Sequence, residues 1–371
     1  MKSIYIKNFK NIRELNIDRL AKVNLIVGKN SVGKSTLLEA LSIYLTRGNE
    51  IWLRGLLENR GEILVSRQND KETQEVFNGQ SYLSLFTGRQ ENYSRNYAIQ
   101  IGEFPEDKDA VHINQVFIVT EEKQDLFGDG TMIRRRAFAA EDLADSDDNS
   151  LNIEGKGLEI SSGNNKIVIS YRKVTPRIWD YKTNFQYVHT LDFQTDKNAI
   201  LFDNISLTPE ERYIIRALQI IHPQITRINF LNVGNMRWGK ESRVPIVTLE
   251  GDNNKYLLSA MGDGINRILT IILAMLNCKG GTLLLDEFET GLHYSVQDEL
   301  WKIIFMLAEE LDIQVFATTH SNDCVNSFAN VNMQNAGMVI RLEERKGNIT
   351  AVTYTDNEEL RFAATNNIEI R

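Results

Sequence analysis

Residues 28–35 have the composition and spacing of a phosphate-binding loop. Their sequence, GKNSVGKS, fits the pattern GxxxxGK[ST], which is specific when a buried strand precedes it and a helix follows it. The apolar run 23–27 predicts that strand, and leucines at helical spacing over 37–45 predict the helix. The glycines let backbone N–H groups face phosphate oxygens, and the helix N-terminus adds a favourable dipole. The segment therefore predicts a site for a nucleoside triphosphate.

The side chains of this loop have distinct expected roles. Lys34 would meet the β- and γ-phosphates, and the hydroxyl of Ser35 would hold Mg²⁺. We therefore expect ATP and Mg²⁺ as cofactors. The predicted nucleotide contacts in this segment are Gly28, Asn30, Ser31, Gly33, Lys34, Ser35 and Thr36.

A second set of candidate side chains follows an apolar run much later in the chain. Residues 282–287, TLLLDE, bring two carboxylates to the C-terminal end of a predicted strand, where ligands bind in open α/β sheets. Asp286 would hold Mg²⁺ through water, and Glu287 would orient or deprotonate the attacking water. Two acids after an apolar run are also an ordinary strand exit, so this prediction depends on the phosphate-binding loop that precedes them.

Two histidines extend this pattern. His320 stands at the end of the next predicted strand, within TTHS at 318–321, from where it could donate a hydrogen bond to a γ-phosphate. We predict a catalytic role for His320 beside Glu287, with a purely structural histidine as the alternative. For His293, packing or hydrogen bonding at a subunit interface is an equally good interpretation.

At these residues the chain resembles ABC-type ATPases, and within them the OLD-like, AAA-type ATPases related to the RecF and SMC proteins. The opening residues 6–11 and 23–30 are similar to that group, as is the block 286–293. Residues 258–267, LSAMGDGINR, stand where the family carries its signature motif, although their spacing departs from LSGGQ. The similarity covers roughly residues 1–50 and 245–330.

The resemblance implies that two subunits sandwich ATP, with the signature of one subunit contacting the γ-phosphate bound by the other. Ser259, Gly262 and Gly264 are therefore candidate contacts in trans. A glycine-rich turn that leads into a helix near Ile265 would offer another positive helix end to an anion. The expected assembly is a homodimer or a higher even oligomer.

The order of predicted elements indicates an α/β fold. We expect an ABC-type P-loop ATPase domain with a mixed central sheet, an N-terminal antiparallel β subdomain and a mixed α+β insertion. The ATPase domain would comprise residues 1–50 and 229–371, and the insertion residues 51–228. Within the insertion, TPEE at 208–211 predicts a capped helix that runs towards Ile221, and 141–150 predicts a solvated loop.

The bulk composition narrows the class of partner. A net charge of −8 argues against DNA binding over the whole chain but not against a local basic groove. Residues 134–136 form one compact run of arginines, which fits a nucleic-acid contact or an acid-paired surface.

The longest nearly uncharged apolar run, around 268–276, is too short to span a bilayer. Cys278 and Cys324 form no CxxC and read as buried small residues, which favours a cytoplasmic protein without a membrane partner.

Several functions remain open at this stage. The leading hypothesis is an ATPase switch that controls a separately encoded effector, which the resemblance suggests is a Toprim-type nuclease or toxin in defence against phage. We expect no nuclease domain of its own, because too few residues follow His320. The alternative is a RecF-like DNA-binding ATPase in repair, and a transporter's nucleotide-binding subunit fits less well. Gln90, Gln100 and Gln115 are equal candidates for a Q-loop glutamine.

Overall fold

The computed structural model describes residues 1–62, 79–103, 106–124, 131–144, 152–171, 184–190, 195–235, 240–252, 254–332 and 337–354. Contacts divide the chain into two compact units. Unit 1 comprises Met1–Arg19, Glu39–Lys182 and Glu344–Thr350, and unit 2 comprises Leu20–Leu38, Thr183–Glu343 and Ala351–Arg371. The domain boundaries predicted from the motifs, after residues 50 and 228, follow a different criterion and stay a prediction.

The strands in chain order are β1 (Ile4–Phe9), β2 (Ile12–Ile17), β3 (Val23–Val27), β4 (Ile99–Gly102), β5 (Val111–Gln124), β6 (Thr131–Phe138), β7 (Asn152–Ser162), β8 (Asn165–Ser170), β9 (Phe185–Val188), β10 (Ile225–Asn235), β11 (Lys240–Leu249), β12 (Lys255–Leu257), β13 (Thr282–Leu285), β14 (Gln314–Thr318), β15 (Gly337–Arg345) and β16 (Asn348–Tyr354). The α-helices are α1 (Lys34–Leu45), α2 (Glu50–Asn59), α3 (Ala140–Ala144), α4 (Thr195–Asp203), α5 (Glu211–Leu218), α6 (Asp263–Leu276), α7 (Tyr294–Glu310) and α8 (Asn322–Val331).

Unit 1 is built on an antiparallel sheet. Its strand order is β2-β1-β4-β5-β7-β8, and β6 pairs with β5. Alternate residues of β1, such as Ile4 and Ile6, are buried, which is the pattern of a sheet with one covered face. The predicted N-terminal antiparallel strands are therefore present.

Unit 2 is built on a largely parallel sheet in the order β16-β15-β3-β14-β13-β9. β15, β3, β14, β13 and β9 run parallel to their neighbours. Every residue of β3 and of β13 is buried, because helices cover both faces of a parallel sheet. Leu269 and Ile272 of α6 and Trp301 of α7 belong to the main hydrophobic core. The α/β class predicted from the sequence is confirmed.

Residues 338–342 and 349–354, around a turn at 346–348, predict a hairpin, and this hairpin is present. β15 and β16 pair across a two-residue turn in which Lys346 has φ 51° and Gly347 has φ 77°. Two successive positive φ angles are those of a type I′ turn, which matches the twist of an antiparallel pair.

Three local predictions need correction. α5 starts at Glu211 and ends at Leu218, short of Ile221, and the Thr208 hydroxyl does not cap it because it donates to the Ile205 carbonyl at 2.6 Å. The Glu211 carboxylate does not complete a capping box either, since its Oε2 accepts the Leu207 N–H at 2.9 Å instead of the N–H of Thr208. Apolar residues at helical spacing over 301–311 predict an amphipathic helix, which begins seven residues earlier, as α7. The expected loop 141–150 overlaps α3 at 141–144, while 145–150 lie outside the described residues.

The cysteines and the longest apolar segments match their predictions. Cys278 and Cys324 are buried free thiols, and burial raises the pKa of Cys278 to about 12. Within the part of the chain that the structure describes, no helix is long and apolar enough to cross a membrane.

Candidate active site

Parallel strands of unit 2 bring the predicted site residues to one edge of the sheet. β3 and β14 pair in register, with Ile26 opposite Thr318, and β14 and β13 pair with Ala317 opposite Leu285. The carboxyl ends of these strands therefore meet, and each continues directly into a predicted functional segment. Such an edge is where open α/β sheets bind ligands.

The loop after β3 has the backbone shape of an anion cradle. Gly28, Ser31 and Gly33 have φ angles of 151°, 63° and 105°. A Cβ at Gly28 would lie 2.6 Å from the carbonyl oxygen of Leu342, so the close approach of β15 requires glycine there. α1 begins directly after this loop, at Lys34, so the N-terminus of a helix follows the predicted phosphate contacts, where it favours an anion.

The ammonium of Lys34 folds back over this loop. Its Nζ donates to the carbonyl oxygens of Gly28 at 2.7 Å and Lys29 at 3.0 Å. Burial lowers the pKa of Lys34, and the negative charges of Glu289, Glu287 and Asp286 oppose that shift. The lysine thus lies among carboxylates but is bonded only to neutral carbonyls in the described contacts, so phosphate oxygens could replace those carbonyls.

A hydroxyl and a carboxylate meet where a magnesium ion is predicted. Ser35 Oγ donates to Asp286 Oδ1 at 3.1 Å, and Thr318 Oγ1 donates to the same oxygen at 2.7 Å. Hard oxygen donors of this kind suit Mg²⁺, which keeps several waters and takes few protein ligands. The predicted pair Ser35 and Asp286 therefore fits the metal, and Thr318 is a supporting residue to which the sequence analysis gave no role.

Glu287 occupies a strained turn at the end of β13. Its φ is 50°, a left-handed conformation that is uncommon for a residue with a side chain. The Glu287 N–H donates to Thr318 Oγ1 at 2.8 Å, and Glu287 Oε2 accepts the Thr290 hydroxyl at 3.2 Å. Backbone strain of this kind persists only when the surroundings hold it, and it clusters at active sites.

A second carboxylate, Glu289, contacts His320. Glu289 Oε1 accepts the His320 N–H at 2.9 Å and lies 3.1 Å from His320 Nδ1. The Glu289 side chain is 10% exposed, and its Oε2 is buried with no hydrogen-bond partner among the described residues. The histidine ring itself is 47% exposed. Glu289 is thus a site carboxylate that the sequence analysis missed, and its position two residues after Glu287 is the signal that could have found it.

Arg267 is the other residue that the sequence analysis missed. Its side chain is 1% exposed, and its Nη1 donates to the carbonyl of His189 at 2.9 Å. Its Nη2 donates to the carbonyls of Asp286 at 2.7 Å and Glu287 at 3.0 Å. The sequence does contain a signal for this residue, which is a cationic side chain within the apolar pattern of α6. An arginine at a buried position needs hydrogen-bonding partners.

The signature segment begins α6. Residues 258–261 form a 3-10 turn, Gly262 follows with φ 104°, and no side chain in the described structure caps the helix. Ser259 and Gly262 are exposed. A Cβ at Gly264 would lie 2.7 Å from the Gly291 carbonyl oxygen, so packing within one subunit already requires glycine there. Contacts of Ser259, Gly262 and Gly264 in trans stay a prediction.

Two remaining candidates have structural roles in their own units. His293 is the N-cap of α7, and its Nδ1 accepts the Ser295 N–H at 3.4 Å. Gln115 is 2% exposed, donates from Nε2 to the Gln90 carbonyl at 2.9 Å and accepts the Asn92 N–H at 3.2 Å. These contacts give Gln115 a reason to be glutamine without a nucleotide, and the Q-loop assignment stays open.

The fold and this cluster define a P-loop ATPase. The chain belongs to the AAA ATPase domain family, whose model matches residues 1–208 and 141–325. ATP hydrolysis is therefore its reaction. An SMC head bound to the C-winged helix domain of ScpA is a structural neighbour with a TM-score of 0.50 and 13% identity, covering 96% of this chain and 99% of that one, and this likeness concerns the fold alone.

Two relatives in sequence are similar over different lengths. The chain is 24% identical over 345 residues to an "ATP/GTP phosphatase" of Helicobacter pylori, covering 88% of this chain and 86% of the relative. It is 31% identical over 116 residues to an uncharacterized protein of Methanocaldococcus jannaschii, covering 27% of this chain and 53% of that protein.

Proposed function

We propose that this ATPase is a molecular switch of the OLD-like group, in which ATP closes a homodimer or higher even oligomer and hydrolysis reopens it. The observation that carries this proposal is the exposed signature segment. Ser259 and Gly262 lie at the surface, and the first turn of α6 has N–H groups that no described side chain caps. A helix end of this kind is suited to an anion, and a partner subunit's γ-phosphate would supply one.

Within one subunit, each side chain of the cluster has a proposed part in hydrolysis. Lys34 would bind the β- and γ-phosphates, and Ser35 and Asp286 would hold Mg²⁺. Bound Mg²⁺ would neutralise charge that develops on the phosphate oxygens. Glu287 orients or deprotonates the attacking water. His320, held by Glu289, donates to the γ-phosphate.

The switch works by differential affinity. ATP can favour the closed dimer only by as much as it binds that state more tightly than the open one. A γ-phosphate contacted by Lys34 from one subunit and by Ser259 and Gly262 from the other supplies that difference. Hydrolysis removes the shared phosphate and with it the reason for closure.

The output of the switch would be control of a separately encoded effector, a Toprim-type nuclease or toxin, in defence against phage. This step rests on the resemblance to short OLD-like relatives. The RecF-like alternative needs a free basic surface, yet Arg135 pairs with Glu154 at 2.7 Å and Lys166 pairs with Glu159 at 2.7 Å. Such compensated charges are poorly suited to phosphate backbones, so this surface gives the RecF-like alternative no support.

The test is nucleotide-dependent dimerisation of a hydrolysis-deficient variant. Glu287→Gln should run as a monomer without nucleotide and as a dimer with ATP and Mg²⁺ in light scattering coupled to gel filtration. Adding Ser259→Arg should restore the monomer, because a bulky cation blocks the trans contact at a position exposed in the single subunit. The matched control adds Leu207→Arg at a site 96% exposed and outside the segment, which should leave the dimer intact. A Glu287→Gln protein that binds ATP yet stays monomeric would contradict the switch.

A further inference from the structure

The guanidinium of Arg267 donates three hydrogen bonds to backbone carbonyls. It donates to His189, Asp286 and Glu287 over 2.7–3.0 Å, and the side chain is 1% exposed. A charged donor makes hydrogen bonds about twice as strong as a neutral one. Removing a guanidinium from water is costly in free energy unless its hydrogen bonds have good geometry. We therefore expect these bonds to hold the contacted backbone in place.

The backbone that Arg267 holds is the strained turn of the active site. Glu287 has φ 50°, and its N–H is bonded to Thr318 Oγ1 while its carbonyl is bonded to Arg267. The carbonyl of Asp286 is bonded to the same Nη2. The orientation of the Glu287 side chain follows from this backbone, because Cα–Cβ direction is fixed by φ and ψ. Two side chains, Thr318 and Arg267, therefore hold the backbone from which the Glu287 side chain projects, and the Thr290 hydroxyl donates to its carboxylate at 3.2 Å.

The same helix also carries the signature segment at its first turn. Gly264 lies three residues before Arg267 in α6, and a Cβ at Gly264 would approach the Gly291 carbonyl oxygen to 2.7 Å. The first turn of α6 thus packs against the C-terminal end of the loop 286–291, and Arg267 binds the carbonyls at the N-terminal end of that loop. The start of α6 therefore contacts the loop 286–291 at both ends of the loop, so a displacement of the helix would displace the loop as well.

We infer that Arg267 is a positioning residue that holds Glu287 in its hydrolytic orientation and transmits the position of the signature segment to it within one subunit. The first part concerns the ATPase reaction alone. The second part rests on the proposed function, since it requires a partner's nucleotide to move the segment. Arg267 touches neither substrate nor metal in this assignment and acts only through the loop.

The first experiment separates positioning from binding. Arg267→Lys keeps the charge but loses the planar fork, so it should lower kcat by roughly 10–10²-fold, the scale of a slight misplacement in an active site. The affinity for ATP, measured with a fluorescent analogue, should stay unchanged. Thr270→Val is the matched control, because this buried hydroxyl one turn later bonds Asn198 and Asn266, away from the loop. It should lower the melting temperature and leave kcat intact.

A double-mutant cycle then asks whether Arg267 acts through Glu287. In a Glu287→Gln background, Arg267→Lys should cause no further loss of hydrolysis, because the group it positions is already gone. Losses that multiply, an unchanged kcat in the single variant, or a parallel loss of ATP affinity would each overturn the assignment. If Arg267→Lys does not fold, Gly264→Ala must lower kcat through the same loop without changing ATP affinity, and an unchanged kcat there overturns the assignment as well.

A dimerisation assay separates failure of the positioning role from failure of the proposed switch. In Glu287→Gln, ATP-dependent dimerisation should survive the addition of Arg267→Lys, because the segment itself is intact. If Glu287→Gln never dimerises while the cycle remains non-additive, the positioning role stands and the proposed switch fails. If it dimerises and the cycle is multiplicative, the switch stands and Arg267 has no positioning role.

Discussion

Two partly buried lysines, one in each unit, have different hydrogen-bond partners. Burial lowers the pKa of Lys10 in unit 1 and that of Lys34 in unit 2. Lys10 Nζ is bonded to Glu39 at 2.7 Å, and Glu39 also pairs with Arg60 at 2.5 Å. Lys34 is bonded to loop carbonyls, while the carboxylates near it are bonded to hydroxyls and backbone groups.

The two lysines show how a charged side chain that stabilises the fold differs from one that can bind a ligand. In unit 1 the opposite charges meet directly, which satisfies both and leaves little for a ligand. In unit 2 Lys34 and its carboxylates stay apart, Glu287 is strained, and Glu289 Oε2 is buried without a partner among the described residues. Unsatisfied groups of this kind raise the free energy of the empty site and are compensated when a ligand arrives. Substitutions in the nucleotide site of unit 2 should therefore change turnover, and those among the buried polar contacts of unit 1 should change stability.

The largest expected effect is at Glu287. Glu287→Gln should slow ATP hydrolysis by roughly 10²–10⁴-fold, the usual contribution of a general base, while ATP affinity is retained. Phosphate release under saturating ATP measures the first quantity and equilibrium titration the second. Glu299→Gln on α7, an exposed acid that pairs with Lys302, is the control and should turn over ATP at the parental rate. Hydrolysis that survives Glu287→Gln would remove Glu287 from the reaction.

An intermediate effect is expected at Thr318. Thr318→Val keeps the shape but removes the hydrogen bonds to Asp286 Oδ1 and from the Glu287 N–H. Partners of a metal ligand are typically worth about 10–100-fold in metal affinity or activity, so the Mg²⁺ concentration for half-maximal turnover should rise by that factor. Chelation of Mg²⁺ should abolish turnover in the parent. A Thr318→Val protein with the parental Mg²⁺ curve would show that Thr318 only supports the fold.

The smallest effect on turnover is expected in unit 1, at Gln115. Gln115→Met removes the bonds to Gln90 and Asn92 from a buried position, which should lower the free energy of unfolding by roughly 1–3 kcal/mol. Turnover per folded molecule should not change. Denaturant titration and phosphate release report the two quantities. Lost turnover in a stably folded Gln115→Met protein would instead assign Gln115 as the Q-loop glutamine. It would also contradict the expectation that substitutions of this kind in unit 1 affect stability and not turnover.

Features that depend on local residue chemistry could be predicted from the sequence. The loop 28–35, the apolar strands and the hairpin turn at Lys346–Gly347 are set by glycine placement and hydrophobic period, which short segments display. Arg267, Glu289 and Thr318 could not be ranked, because their importance comes from strand register and from which carbonyls a buried side chain reaches. The prediction of the start of α5 was wrong for a similar reason, because the Thr208 hydroxyl donates to the Ile205 carbonyl instead of capping the helix.

The central claim is that each ATP site is completed by the signature segment of a second subunit, and mixing two inactive variants tests it. Lys34→Ala loses phosphate binding, and Ser259→Arg blocks the segment, so each homodimer should be inactive. In a heterodimer both defects can fall on one composite site, which leaves the other with an intact loop and an intact segment. The account predicts that the mixture regains ATP turnover as subunits exchange, whereas a mixture as inactive as its parts, with exchange demonstrated by differently tagged subunits, would contradict it.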